Sequence, residues 1–138
     1  MKIIYKPLYQ SLQQSCLEWE VIHDELELKE LRAVFVFNAA YSGFDGHFPG
    51  RPILPAIVQL ASVRFLAELG LKQSVNPVSY SRVKFRGIIQ PDERIEVQLR
   101  LVKKEAAWVG SFSLYNGGEE RVASGDCTYC ILNKQCPV

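Results

Sequence analysis

One helical segment, at about residues 56–69, constrains the fold of this chain more than any other feature. Apolar residues lie around nearly its whole circumference: Ile57, Val58, Leu60, Ala61, Val63, Phe65, Leu66, Ala67 and Leu69. A helix that is apolar on all sides is not a surface helix, because one of its faces would then meet water. The rest of the chain must therefore wrap around it. Gly70 is predicted to end this helix as its C-terminal cap.

The segments on either side alternate apolar and polar residues with the period of two that is typical of strands. Two predicted strands precede the helix, at 17–23 and 31–38, and four follow it, at 78–87, 93–104, 107–116 and 121–132. A Gly/Pro loop at 42–55 leads into the helix, and a short helix is predicted at 7–15. One helix held by one curved antiparallel sheet is the hotdog architecture. We therefore predict an α+β hotdog fold, with one long central helix wrapped by about six strands.

Length and charge limit the remaining possibilities. A chain of 138 residues that is 48% hydrophobic predicts a single domain spanning residues 1–138. Its net charge of +1 gives no reason to expect nucleic acid as a partner. No apolar stretch of signal-peptide or membrane-span length is found, so we expect a cytoplasmic protein without a membrane partner.

The four cysteines are interpreted as free thiols. Cys127 and Cys130 form a C-x-x-C pair, but one such pair is half a zinc site. Cys16 and Cys136 supply no second pair. In a reducing compartment free thiols are the usual state, so neither a metal site nor a disulfide is predicted.

The loop before the helix places a histidine next to apolar sequence. Residues 44–62 read FDGHFPGRPILPAIVQLAS, with His47 among glycines and prolines. An isolated loop histidine is usually just solvated, but its ordinary pKa of about 6.5 also suits it to act as a general base. The neighbouring residues decide between these interpretations.

Residues Gly46 to Gly50, together with Pro52 and Pro55, resemble the signature of the beta-hydroxyacyl-acyl carrier protein dehydratases of fatty acid synthesis. Downstream, VKFRGIIQPDERIEV resembles the same family's Lys-Phe-Arg segment and the turn after it, and VASGDCTYCIL resembles its closing strand. The likeness covers about residues 30–132. Within it, PILPAIVQL is nearer to the dehydratase-like proteins of aryl-polyene clusters. The family is a hotdog fold, in agreement with the pattern.

The resemblance implies a hydro-lyase that removes water from a 3-hydroxyacyl thioester in fatty acid or polyketide-like (polyene) synthesis. This reaction needs a base for the proton beside the carbonyl and a proton donor for the leaving hydroxide. His47 is expected to be the base, kept neutral by apolar surroundings. The helix start, at Pro55 and Ala56, is expected to polarise the thioester oxygen with the help of the helix dipole.

The sequence departs from the family at two positions. Ala56 replaces the glycine that follows the second proline, which adds a methyl group close to the substrate. Ala61 stands fourteen residues after the histidine, where the family has a Glu or Asp that acts on the histidine of the partner subunit. The candidate polar substitutes are Gln59, Ser62 and Glu68. For Glu68 the alternative is an ion pair with Arg64, four residues earlier.

The substrate is expected on the phosphopantetheine arm of an acyl carrier protein or of coenzyme A, with no other cofactor. An apolar tunnel for the acyl chain is predicted from Phe48, Ile53, Leu54, Val58 and Phe85. Carrier proteins are normally acidic, which predicts a basic patch near the tunnel mouth. Its members are Arg51, Arg82, Lys84 and Arg86, for which a solvated strand face is the alternative.

The lone helix leaves one side of the sheet uncovered, which predicts a homodimer with sites built from both chains. A higher assembly or a heterodimer with a paralogue stays open. Two functions stay open as well: a 3-hydroxyacyl-carrier-protein dehydratase, or a non-catalytic thioester-binding subunit that pairs with an acid-bearing paralogue. A hotdog thioesterase is a third interpretation, weakened because Glu68 is the helix's one carboxylate.

Overall fold

The central helix, α2, spans Ala56–Leu71 and confirms the predicted segment. The computed structural model describes residues 6–40 and 53–132, with side chains described from residue 10 onward. Pro55 is the N-cap, with an extended backbone (φ −64°, ψ 153°) that suits a proline immediately before a helix. A shorter helix, α1, spans Lys6–Ser15.

The end of α2 corrects the prediction for Gly70. The helix continues through Leu71, and Lys72 takes the left-handed conformation of the C-cap (φ 57°). Gly70 instead permits close packing, because a Cβ atom there would lie 2.5 Å from Leu31 Cδ1. The glycine is explained by its tertiary neighbour and not by helix termination.

Six strands form one antiparallel sheet in the order β1-β2-β4-β5-β6-β3. Their bounds are Cys16–Asp24 (β1), Leu28–Val36 (β2), Val75–Phe85 (β3), Arg94–Lys104 (β4), Ala107–Tyr115 (β5) and Arg121–Ile131 (β6). All six predicted strands are present within three residues of their expected ends. The strand after the helix, β3, pairs with β6, the last of the described strands.

The sheet curves around α2. The helix contacts β2 and β4 and also the two edge strands, β1 and β3. A flat sheet of six strands would be about 24 Å wide, more than twice the diameter of a helix with its side chains. Contact with both edges therefore requires curvature, and the predicted α+β architecture is confirmed.

The core lies between the sheet and α2. Alternate residues of β2 and β4 face the helix, among them Leu31, Phe35, Val97 and Leu101, each no more than 1% exposed. The helix contributes Val63, Leu66 and Ala67, which are fully buried. Ile57, in the first turn, is 73% exposed, so the helix is not covered at its start by the described residues.

The first strand is more exposed than its alternating pattern predicts. Trp19 and Val21 pair with Ala33 and Leu31, which places them on the core face of the sheet. Trp19 is nevertheless 41% exposed and Val21 36% exposed. Phe85, on the opposite edge strand β3, is 43% exposed. Trp19 and Phe85 are therefore not buried in the core among the described residues. Both lie on edge strands, beyond the area that α2 covers.

The prediction of free thiols is correct for Cys16 and Cys127 and wrong for Cys130. Cys130 is disulfide-bonded. The prediction came from the expected redox compartment, which says nothing about whether two cysteines meet in the fold. Cys136 lies outside the described residues. In the part of the chain that the structure describes, no helix is long and apolar enough to cross a membrane.

Candidate functional site

A pocket of about 460 Å³ opens at the start of α2. Two chain segments form it: the approach to the helix and the segment that leaves β3. Backbone hydrogen bonds hold both segments, from Leu54 N to Ile89 O (2.8 Å) and from Arg86 N to Val122 O (2.8 Å). The pocket is lined by Ile53, Leu54, Pro55, Ala56, Gln59, Phe85, Arg86, Gly87 and Ile88. This lining is mostly apolar, as a site for an acyl chain requires.

The first turn of α2 borders this pocket with its positive end. The carbonyl oxygen of Pro55 accepts hydrogen bonds from Val58 N (3.1 Å) and Gln59 N (3.2 Å). Among the described residues, no side chain caps the start of the helix. The N–H groups of Ala56 and Ile57 precede these bonds and have no partner within a helix of this geometry. A carbonyl or anionic oxygen next to Ala56 would receive both a donor and the helix dipole.

Gln59 is a buried polar side chain with unused hydrogen-bonding capacity. It lines the pocket and is 5% exposed. Its Nε2 donates to Leu54 O (3.2 Å), whereas its Oε1 is buried without a hydrogen-bond partner among the described residues. A buried amide oxygen normally has a partner. Gln59 can therefore accept a hydrogen bond from a hydroxyl group bound in the pocket.

The other two polar candidates have structural partners and do not line the pocket. Ser62 Oγ donates to Gln59 O (2.6 Å) within the helix. Glu68 Oε2 accepts from Val75 N (2.8 Å) and lies 3.8 Å from Arg64 Nε, so the predicted ion pair is present. Ala61 is half-buried against the core. Of the three candidate substitutes for the family's acid, only Gln59 lines this pocket.

The predicted tunnel residues divide into three groups. Ile53, Leu54 and Phe85 line the pocket. Val58 is 4% exposed, belongs to the core and does not line this pocket. Phe48 lies outside the described residues, as do the predicted base His47 and the predicted patch residue Arg51. Sequence reasoning did not identify Gly87 and Ile88, which follow β3 and complete the pocket.

The predicted basic patch lies on the outer face of the sheet, away from α2. Arg82, Lys84 and Arg86 line a shallow cavity of about 330 Å³. A β-bulge between Ser81 and Lys84 interrupts the strand there, with Arg82 in the left-handed conformation (φ 51°). Arg121 also lines the cavity. Sequence reasoning missed this arginine because β3 and β6 are neighbours in space and not in sequence.

The second histidine is a surface residue. His23 is exposed at the end of β1 and forms an ion pair with Glu25. The hydrogen bond to that carboxylate raises the pKa of His23 above its usual 6.5. His23 contributes to neither cavity described above.

Comparison with known proteins places the chain in a family. The model of the ApeI-like dehydratases, described as ApeI dehydratase, matches residues 23–126. The 3-hydroxyacyl-[acyl-carrier-protein] dehydratase FabZ of Bartonella henselae is 30% identical over 100 residues. That match covers 67% of this chain and 64% of the relative, so the chain spans a little under two thirds of the relative's length.

Two solved structures share the fold. An uncharacterized protein from Erwinia carotovora subsp. atroseptica superposes with a TM-score of 0.71 at 23% identity, covering 87% of this chain and 98% of that one. The dehydratase heterocomplex ApeI:P from Xenorhabdus doucetiae gives a TM-score of 0.66 at 21% identity, covering 83% and 96%. At these identities the likeness concerns the fold. Together with the matched family model, it means that this chain has a hotdog fold and belongs to the ApeI-like dehydratase family.

Proposed function

We propose that the protein is a 3-hydroxyacyl-[acyl carrier protein] dehydratase-like enzyme that eliminates water from an acyl thioester in fatty acid or polyene synthesis. The pocket at the start of α2 carries this proposal. It joins an apolar lining to an uncapped helix N-terminus and to the unpartnered Oε1 of Gln59. An acyl chain, a thioester carbonyl and a hydroxyl group would each find a matching surface there.

The proposed elimination assigns one task to each group. His47 takes the proton next to the thioester carbonyl, and the electron pair of that C–H bond moves toward the carbonyl. The N–H of Ala56 and the helix dipole stabilise the negative charge that develops on the thioester oxygen. The double bond forms as the hydroxyl group leaves, and Gln59 holds that group in position. These steps call for no redox or metal cofactor.

The proton for the leaving hydroxide cannot come from position 61, where the related dehydratases have a Glu or Asp. Ala61 has no titratable group, and Glu68 is engaged with Val75 N. In the proposed enzyme the hydroxide therefore takes its proton from an acid of a partner chain or, relayed by a bound water, from the imidazolium formed at His47, which returns to its neutral state. We expect the partner chain at the edge strand β3.

The alanine at position 61 also favours a second function. If each site needs an acid from another subunit, this chain would be a thioester-binding subunit paired with an acid-bearing paralogue. The structural neighbour from Xenorhabdus doucetiae is described as a dehydratase heterocomplex, which makes such pairing a reasonable arrangement for this fold. Thioester hydrolysis is less well supported, because Glu68, its candidate carboxylate, has a structural partner and lies outside the pocket lining.

The test is dehydration by the purified chain. A 3-hydroxyacyl pantetheine thioester is supplied, and the enoyl thioester and free thiol are measured separately. We expect enoyl product, its loss in His47→Ala, and an about tenfold lower kcat/KM in Gln59→Leu, which loses one hydrogen bond to substrate. Gln73→Leu is the matched control, since Gln73 is exposed beyond the other end of α2.

The outcomes separate the two functions. Activity of the chain alone that depends on His47 rules out the binding-subunit function. A chain that is inert alone, but active with an acid-bearing paralogue or as Ala61→Glu, rules out the stand-alone enzyme. Release of free thiol that is lost in Glu68→Gln would indicate a thioesterase instead.

A further inference from the structure

A second cavity, on the opposite face of the sheet, has the composition of an anion site. We call it the basic trough. It measures about 330 Å³ and is lined by four cations around a floor of small hydroxyl side chains. The cations are Arg82, Lys84, Arg86 and Arg121, and the floor includes Ser113 and Ser124.

Strand pairing explains why these side chains meet. Ser113 on β5 pairs with Ser124 on β6, and Ser124 in turn pairs with Lys84 on β3. Residues directly opposite each other in a sheet share a face. Short serine side chains in the middle and long cationic ones along β3 leave a depression with a positive wall.

Most of this positive charge is not neutralised. Arg82 forms an ion pair with Asp126 (2.5 Å), the one carboxylate that lines the trough. Among the described residues, Lys84, Arg86 and Arg121 form no ion pair. Three uncompensated cations around one small cavity repel one another. The net charge of +1 conceals this local excess of positive charge, which favours the binding of an anion.

The trough adjoins the pocket at the start of α2. Arg86 lines both cavities, because it lies just beyond β3, where the chain leaves the sheet. A ligand with an anionic group in the trough could pass this arginine and reach the start of α2. The anion and the acyl group would then belong to one molecule.

We propose that the basic trough binds the phosphate group of the phosphopantetheine arm that carries the thioester. This inference rests on the function proposed above. One guanidinium group can donate two hydrogen bonds to two oxygens of the same phosphate, and serine hydroxyls can donate to these oxygens as well. On a carrier protein this phosphate is a diester of serine with one negative charge, and in coenzyme A it belongs to a diphosphate. Both forms present non-bridging oxygens to the cations of the trough.

Calorimetric titration of the full chain with 4′-phosphopantetheine and with pantetheine tests this proposal. We expect the phosphorylated compound to bind at least about tenfold more tightly, since charge-assisted hydrogen bonds are the strong ones. That preference should decrease as salt is added. Arg121→Ala should remove most of it. Arg121 is exposed and forms no ion pair within the described residues, so we expect its replacement to leave the fold intact.

Lys104→Ala is the matched control, because it removes one exposed positive charge at the far end of β4. We expect it to keep the preference for the phosphorylated compound. Equal affinity for the two compounds, or equal losses in Arg121→Ala and Lys104→Ala, would overturn the proposal. Coenzyme A distinguishes the source: affinity equal to that of 4′-phosphopantetheine means that the shared phosphate suffices, and tighter binding means that the trough also takes the nucleotide phosphates.

The proposal and the proposed function can fail independently. Dehydration of a pantetheine thioester, which has no phosphate, tests the function without the trough. Phosphate binding is measured without catalysis. A chain that dehydrates the pantetheine thioester but shows no phosphate preference keeps the function and loses the trough proposal.

Discussion

Cys127 is a buried thiol whose ionisation opposes folding. It is 1% exposed on the core face of β6. Burial raises the pKa of Cys127 from 9.0 to about 12. Burial also raises the pKa of Tyr129, whose hydroxyl lies 3.1 Å from that of Tyr80. In the folded protein this cluster therefore stays neutral to high pH.

Stability should consequently fall at alkaline pH. Between about pH 9 and pH 12 the unfolded chain loses the Cys127 proton and the folded chain keeps it, so the unfolded state is favoured as pH rises. From about pH 9 to about pH 10.5, we expect wild type to lose about 1.5 kcal/mol more unfolding free energy than Cys127→Ala. Urea denaturation at both pH values measures this. Because both tyrosines remain in the variant, identical pH dependence in the two proteins would contradict the prediction.

Some site residues could be predicted from sequence and others could not. Ile53, Leu54 and Phe85 meet in the pocket because the approach to a helix and the end of the adjacent strand converge in this architecture. Val58 does not line the pocket, although its neighbour Gln59 does. Successive side chains of a helix point about 100° apart, and that of Val58 points into the core. The role of Gly70 depends on Leu31, more than thirty residues away, and no local pattern carries that information.

The positions of the strands and helices could be predicted from the sequence, but which strands lie beside each other could not. Alternating residues identify the core face of each strand, and all six strands and the main helix lie where the pattern predicts. Alternation does not say which strands pair. In the sheet, β3 does not lie beside β2, the strand that precedes α2 in the chain, but beside β6. For this reason Arg121, at the start of β6, lies near the basic residues of β3.

The close approach of β4 and β5 depends on one residue. Gly110 pairs with Leu101, and a Cβ atom at Gly110 would overlap the carbonyl oxygen of Arg100. Because the obstacle is backbone, the two strands would have to separate. We expect Gly110→Ala to lower the free energy of unfolding by about 3 kcal/mol, at the upper end for overpacking. Urea denaturation followed by tryptophan fluorescence measures the loss.

Gly117→Ala is the control for this substitution. A Cβ atom at Gly117 would meet only the Arg94 carbonyl oxygen, at 3.9 Å, which is an ordinary contact. We expect a change of less than about 1 kcal/mol, because its main effect is on the entropy of the unfolded chain. Similar losses in the two variants would mean that the strand contact at Gly110 is not the cause.

Over the whole molecule, the outer face of the sheet has an acidic and a basic end. On the acidic side, Arg32 lies within 3.3 Å of the carboxylates of Glu18, Glu20 and Glu96. On the other side lies the basic trough. The net charge of +1 conceals this division, because opposite charges cancel in the sum. Composition alone therefore gives no reason to expect a charged partner, whereas the fold creates two surfaces of opposite charge.

The two edges of the sheet differ in the same way. At one edge, β1 carries Glu18, Glu20 and Asp24, and charged edge strands resist pairing with other chains. At the other edge, β3 begins with seven uncharged residues, and eight of its eleven residues are exposed. β3 also ends at Phe85, which lines the pocket at the start of α2. A second chain paired with β3 would lie beside that pocket, where an acid is lacking.

We therefore expect the homodimer to form through β3, and Val78→Glu to disrupt it. Val78 is 42% exposed in the uncharged part of the strand, and a buried glutamate without a partner is unfavourable in an interface. Light scattering coupled to gel filtration should give the mass of a dimer for wild type and of a monomer for Val78→Glu. Leu26→Glu, at an 83% exposed position in the turn after β1, places the same charge near the other edge and should remain dimeric. A monomeric wild type, or a dimer that Leu26→Glu disrupts and Val78→Glu does not, would show that β3 is not the interface.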